Sequence, residues 1–215
     1  MRAGADAMER GHYDKAAVDF SNALESGGLT LEGRALAWHH RGIAFQKIGQ
    51  QDAAIADYTR AIDSRELPGA VLSRAYYNRG IAYGDVGDNT AAERDYAKVV
   101  DLAPDYAPAY HNLANLERRR GGHAEAIDHY SSAISNMNGR ERRLPLFGRA
   151  LSSEHIGDIE QAVADLKLAL SIDPEFDLAA TKLSALEPRL AEQKAASLPP
   201  AENEPIETAK VVPAT

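Results

Sequence analysis

Five glycines, Gly11, Gly49, Gly87, Gly121 and Gly157, organise this chain, because the same kinds of residue stand at the same distances from each of them. Five positions after them come Ala16, Ala54, Ala92, Ala126 and Ala162, and nine after come Phe20, Tyr58, Tyr96, Tyr130 and Leu166. Twelve after come Ala23, Ala61, Val99, Ala133 and Ala169. Seven before stand Gly4, Gly42, Gly80, Ala114 and Ala150, and eleven before the last four stand Trp38, Tyr76, Tyr110 and Leu146. A register kept five times describes a stack of like units.

Within each unit the apolar positions fall three and four apart, the spacing of one helical face. Ala54, Ile55, Tyr58, Ala61 and Ile62 form such a stripe, which leaves Asp52, Asp57 and Arg60 on the wet side. The anchoring glycine lies between two such stretches, where a turn needs a residue free to take positive φ. Small residues such as Gly42 and Ala54 let two helices approach closely, while Trp38, Phe45 and Tyr58 fill the space between hairpins. Each unit is a helix–turn–helix that must stack on its neighbour to bury its apolar face.

At these residues the chain resembles the tetratricopeptide repeat family. Trp38, Gly42 and Phe45 with Ala54, Tyr58 and Ala61 carry the resemblance, as do Tyr76, Gly80 and Tyr83 with Ala92, Tyr96 and Pro104. Leu170-Ser171-Ile172-Asp173-Pro174 closes the fifth unit in the family's manner. The resemblance implies an all-α, right-handed solenoid of stacked antiparallel helix hairpins, at about 1–30, 35–68, 73–106, 107–140 and 143–176. Glu117 and Ser153 replace expected aromatics, so the fourth and fifth hairpins should be looser or more polar there. The anchors are 38, 38, 34 and 36 residues apart, against about 34 for the family. Longer turns or lengthened helices are expected near Gly27-Gly28-Leu29-Thr30, Leu67-Pro68-Gly69 and Asn138-Gly139.

The first unit starts almost at Met1 and lacks the aromatic that Trp38 supplies in the second, so its first helix should fray, and a leader removed from a longer N-terminus is one reading. Residues 177–194 read as an amphipathic capping helix that Pro188 should kink or end near Glu187. From 195 to 215 the chain holds four prolines and no aromatic and is expected to stay disordered.

Composition removes several functions. A net charge of −8 argues against nucleic-acid binding, which needs excess cations to displace counterions from phosphates. No cysteine is present for a disulfide, a thiolate nucleophile or a Cys-ligated zinc. No apolar run approaches the ~18 residues needed to cross a bilayer, so membrane insertion is not expected. Cytoplasm and periplasm both stay open, and the style of the repeats looks bacterial.

No constellation for catalysis emerges: G-x-x-x-x-G-K, G-x-S-x-G and H-E-x-x-H are absent. The glycines at 80, 84 and 87 are explained by helix contacts and the repeat turn. No two of the seven histidines lie three or four apart, so none share a helical face and no metal site is expected. Asp19, Asp57, Asp95 and Asp165 recur at one register, which reads as a solvated stripe or an inter-hairpin hydrogen-bond position. No catalytic residue, metal or cofactor is expected.

Interaction remains. In the family the first helix of each hairpin lines a concave surface that takes an extended peptide or a partner helix. By register the residues implied there are His39, His40, Arg74, Tyr77, Asn78, His111, Asn112, Asn115, Arg118, Arg119 and Phe147. Asn78 and Asn112 hold the same place in successive hairpins, with Asn115 one turn on, and asparagine can both donate to and accept from a peptide backbone. Residues 111–150 carry seven arginines and a local charge of +3, which points to an acidic segment or a C-terminal carboxylate on the partner. The family's clamp for chaperone tails is not reproduced, because Leu144 and Gly148 stand where it needs basic residues. The expected function is a non-catalytic protein-binding adaptor or assembly scaffold. A docking module of a larger, cell-envelope protein and a self-assembling array are the alternatives.

Overall fold

The computed structural model of the protein describes residues 1–197. Eleven α-helices are found among them: α1 (Arg2–Glu9), α2 (Tyr13–Glu25), α3 (Leu31–Lys47), α4 (Gln51–Asp63), α5 (Gly69–Asp85), α6 (Asn89–Leu102), α7 (Ala107–Arg120), α8 (His123–Asn136), α9 (Arg143–His155), α10 (Ile159–Ile172) and α11 (Asp177–Ala196). They pack in antiparallel pairs, each pair against the next, as an all-α superhelix.

The five anchoring glycines end the first helices. All have φ between 75° and 90°. After each one the chain closes the same wide bond, from the residue following the glycine back five positions: His12 N–H to Ala7 O, Gln50 to Phe45, Asp88 to Tyr83, Gly122 to Glu117 and Asp158 to Ser153, each 2.9 Å. This is the Schellman closure, which satisfies carbonyls the helix end would otherwise orphan.

The longer spacings are absorbed in two ways. Helices α3 and α5 gain an extra N-terminal turn, the former capped by Thr30 Oγ1 accepting from Gly33 N–H at 3.0 Å. The third insertion becomes a 3₁₀ turn at Gly139–Arg142 leading into α9. Helix α11 does not end near Glu187. It runs through Pro188 to Ala196, because Leu186 is fully buried and Leu183 and Leu190 pack on the same core to either side of the proline. The carbonyl that loses its donor belongs to exposed Ser184, on the solvent side of the helix. Ala195 and Ala196 are therefore helical, and the rest of the tail expected from 195 to 215 lies outside the described residues.

The alanines five after each anchor are completely buried, against Phe20, Tyr58, Tyr96, Tyr130 and Leu166 at 5% exposure or less. The aspartates eight after the anchors overturn the solvated-stripe reading and favour the hydrogen-bond one. Asp57, Asp95 and Asp165 are not on the wet side but buried at 1%, 4% and 2% exposure. Each is held in a fork by the arginine eight before its own anchor: Arg41 to Asp57 at 2.6 and 2.9 Å, Arg79 to Asp95 at 2.8 and 2.8 Å, Arg149 to Asp165 at 2.8 and 2.7 Å. The third arm of each guanidinium reaches back to a hydroxyl of the preceding hairpin, Ser21, Thr59 or Ser131, at 2.8 to 3.0 Å. One arginine thus fastens three helices, with the planar fork that lysine lacks.

The bolt is absent between the third and fourth hairpins. There Leu113 stands for the arginine, His129 for the aspartate and Ala97 for the hydroxyl, so all three positions change together. The first hairpin keeps Asp19 but has Ala3 in place of the arginine, and Asp19 Oδ2 is buried without a partner. Ala3→Arg should supply one and raise stability by about 1 kcal/mol. An unchanged urea midpoint would show that Asp19 is already satisfied.

Candidate partner-binding groove

Curvature follows from which helices approach one another. Two neighbouring pairs of first helices touch, α3 with α5 and α7 with α9, and no pair of second helices approaches to the same extent among the described residues. The first helices therefore lie on the inner side of the superhelix, and their outward-facing residues line its groove.

The residues assigned there by register separate into three groups. Arg74 and Arg119 are exposed, and Asn78 is half-buried with no side-chain hydrogen bond among the described residues. A second group is engaged within the protein. His40 Nδ1 lies 2.8 Å from Leu36 O and its ring stacks on Phe20. Asn115 donates to His111 Nε2 at 3.0 Å and accepts from the Tyr130 hydroxyl at 2.7 Å, and that hydroxyl in turn receives Arg118 Nε at 3.3 Å. Burial, reinforced by Arg118, lowers the His111 pKa, so the ring is held neutral and accepts from Asn115. Asn112 donates to the Tyr77 hydroxyl at a long 3.4 Å. Phe147 packs at a tilt against Phe176, with centroids 5.2 Å apart, as part of the C-terminal core. The row of asparagines is therefore not uniformly open: Asn115 is committed to a network, whereas Asn78 is free and Asn112 is weakly held.

His39 forms the third group and is a correction. At 4% exposure it lies beneath the groove surface, against Tyr58 and His40, and neither ring nitrogen has a partner. Burial first, then His40 and Arg74, lower its pKa to about 4. The unfolded chain takes up this proton near pH 6.5 and the folded one only near 4. Stability is thus fully present above 6.5 and falls as pH drops through that window, by up to about 3 kcal/mol. His39→Phe, which copies Phe147 at the same register, should remove that part of the acid slope in thermal unfolding measured from pH 7 to pH 4. An unchanged slope would place the proton elsewhere.

The basic patch is smaller than the sequence implies. Arg149 is one of the bolts, Arg120 pairs with Glu117 and with Glu93, and Arg140 and Arg143 both hold Asp173. Among the described residues Arg118, Arg119 and Arg142 have no carboxylate partner, and Arg119 lines a cavity. Beside Arg119 a cavity of about 400 Å³ opens between the third and fourth hairpins, with Tyr77, Ile81, Asp85, Asn112 and Tyr96 in its walls. Tyr96 was legible only as a core aromatic, because its role depends on what stands opposite it. Among the described residues, no group of three or more His, Asp or Glu could hold a metal ion, and no helix is long and apolar enough to cross a membrane.

A family model described as tetratricopeptide repeat matches residues 71–139, and a second so described matches 35–66 and 146–176. No curated protein matches the chain significantly. Among solved structures, that of MamA is 23% identical, with 81% of this chain and 96% of that one covered at a TM-score of 0.68. YrrB, described as a TPR protein with an unusual peptide-binding site, is 15% identical over 83% and 87% of the two chains, also at 0.68. The C-terminal part of a TPR repeat-containing protein from Cytophaga hutchinsonii is 12% identical over 91% and 73%, at 0.75. At these identities the likeness carries the fold.

Proposed function

This chain belongs to the tetratricopeptide repeat family, and from that premise we propose that it is a non-catalytic protein-interaction scaffold, an adaptor that holds a peptide or partner helix along its inner face. One observation supports the reading: Arg74, Asn78 and Arg119, which the repeat register assigns to the groove, have hydrogen-bonding capacity that no residue of the described chain uses. Polar groups left free on a surface otherwise stitched by internal bonds are what an extended chain needs for its amides and carboxylates. The unpaired cations favour a partner segment with acidic residues. YrrB, with the same architecture, is described by its peptide-binding site.

Affinity capture with wild-type bait and with an Asn78→Ala/Arg119→Glu bait tests this. Neither side chain supports the fold, so both baits should be equally helical by circular dichroism. Arg118 is avoided because it also braces Tyr130. The partner retained by wild type should bind the variant at least about tenfold more weakly, the loss of a hot-spot contact of ~1.4 kcal/mol. Wild-type affinity should also fall as salt rises. Equal retention by both baits would move binding to the outer face or the ends.

A further inference from the structure

Three hairpins carry a tyrosine at the core position nine after the anchor, and its hydroxyl reaches the inner face. In two of them the residue three before the anchor meets that hydroxyl: the Tyr58 hydroxyl donates to Gln46 Oε1 at 2.8 Å, and the Tyr130 hydroxyl receives Arg118 Nε. The first hairpin, with Phe20, has apolar Met8 at the facing position. In the fifth, Leu166 has no hydroxyl, and Glu154 turns instead to Lys182 and Arg189. Hydroxyl and partner therefore occur together or not at all, except in the third hairpin. There Tyr96 faces Gly84, and a Cβ built on Gly84 meets nothing within 4 Å. The cavity of about 400 Å³ stands in the place of the missing side chain. The nearby Asn112 side chain, shared between the Tyr77 hydroxyl at a long 3.4 Å and the Tyr96 hydroxyl, belongs to the neighbouring hairpin and leaves the position of the missing side chain open.

The walls of the cavity define its guest. Arg119 offers unpaired donors on one side, and Asp85 offers a carboxylate on the other, already touched by Gln51 Nε2 at 2.9 Å. A guest carboxylate would meet Asp85, and a guest cation would meet Arg119. A carboxamide suits both walls, since its oxygen accepts from the Tyr96 hydroxyl and Arg119 while its NH₂ donates to Asp85. The second hairpin shows the filled version of the same site, with Gln46 on Tyr58. Resting on the reading that the groove binds a peptide, we propose that this cavity is a specificity pocket for a glutamine side chain of the bound segment, which replaces in trans the side chain that Gly84 lacks.

The test is an NMR titration of the isotope-labelled chain with N-acetyl-L-glutamine methylamide, with the norleucine and glutamate analogues as controls. Saturating shifts are expected at Gly84, Asp85, Tyr96 and Arg119, with the two controls at least about tenfold weaker. Gly84→Gln, which fills the pocket from within, should abolish the shifts without lowering the unfolding midpoint, and Tyr96→Phe should weaken binding severalfold. Equal shifts with norleucine, retention of binding by Gly84→Gln, or no saturating shift from the glutamine analogue would each overturn the assignment. Asn78 lies outside the cavity. If Asn78→Ala loses a captured partner while the blocked glutamine produces no shift, the pocket alone falls and the groove reading stands.

Discussion

Asp95→Ala should cost about 3–5 kcal/mol, because it strands the Arg79 guanidinium at 14% exposure against Tyr76 and Tyr83 with no carboxylate to hold it. The triple variant Thr59→Ala/Arg79→Leu/Asp95→His removes more polar contacts and should cost much less, within about 1–2 kcal/mol of wild type. It copies the arrangement the protein itself uses at Ala97, Leu113 and His129, where Leu113 is buried at 5% exposure. The comparison separates two meanings of a buried ion pair. Breaking one leaves a bare charge, whereas replacing the whole set exchanges desolvation cost for apolar packing. Urea unfolding of both variants decides the matter. If the triple variant is as damaged as the single one, the bolts add net stability rather than geometry.

Gly148→Ala should destabilise by about 2 kcal/mol, although alanine is the better helix former by about 1 kcal/mol. A Cβ at Gly148 would stand 2.6 Å from Tyr130 Cε1 and from its hydroxyl. The ring cannot retreat easily: Tyr130 is fully buried, and its hydroxyl is tied to Asn115 and Arg118. Gly84→Ala is the control. With nothing within 4 Å of its Cβ, only the helix preference remains, and the same substitution should stabilise by up to ~1 kcal/mol. Opposite signs for one chemical change, read from two thermal melts, would establish close approach as the reason for Gly148. Matching signs would refute it.

The periodicity made the fold readable because the anchors, the alanines and the aromatics each do one thing at every repeat. Turn, close contact and core filling all depend on residue type at a single position. What depends on pairs was harder to read. Asp57 looks solvated until Arg41 is placed against it sixteen residues away, and the recurrence of arginine eight before the anchor is the sequence signal of that pairing. His39 shared a register with Tyr77 and so was assigned to the groove, but its smaller ring lies buried against Tyr58. The basic stretch at 111–150 was a linear count, and folding gave four of its seven arginines to Glu93, Glu117, Asp165 and Asp173. Pro188 was read by its local preference, which the packing of Leu186 overrides.

The missing bolt between the third and fourth hairpins coincides with the sparsest contact between successive helices of the array, that of α6 with α7. A stack of this kind is a spring whose stiffness is set joint by joint. Three joints are crossed by a directional arginine–hydroxyl bond anchored in a buried fork, whereas this one relies on apolar packing with an exposed Arg120–Glu93 pair and a long Asn112–Tyr77 bond, which resist sliding less. Bending should therefore concentrate there, and under a pulling force the two sides of that joint should part before either comes undone internally. The glutamine pocket sits astride the same joint, with Gly84 on one side and Arg119 on the other. A ligand bridging them would act as a splint, stiffening the array where its own side chains leave it loose.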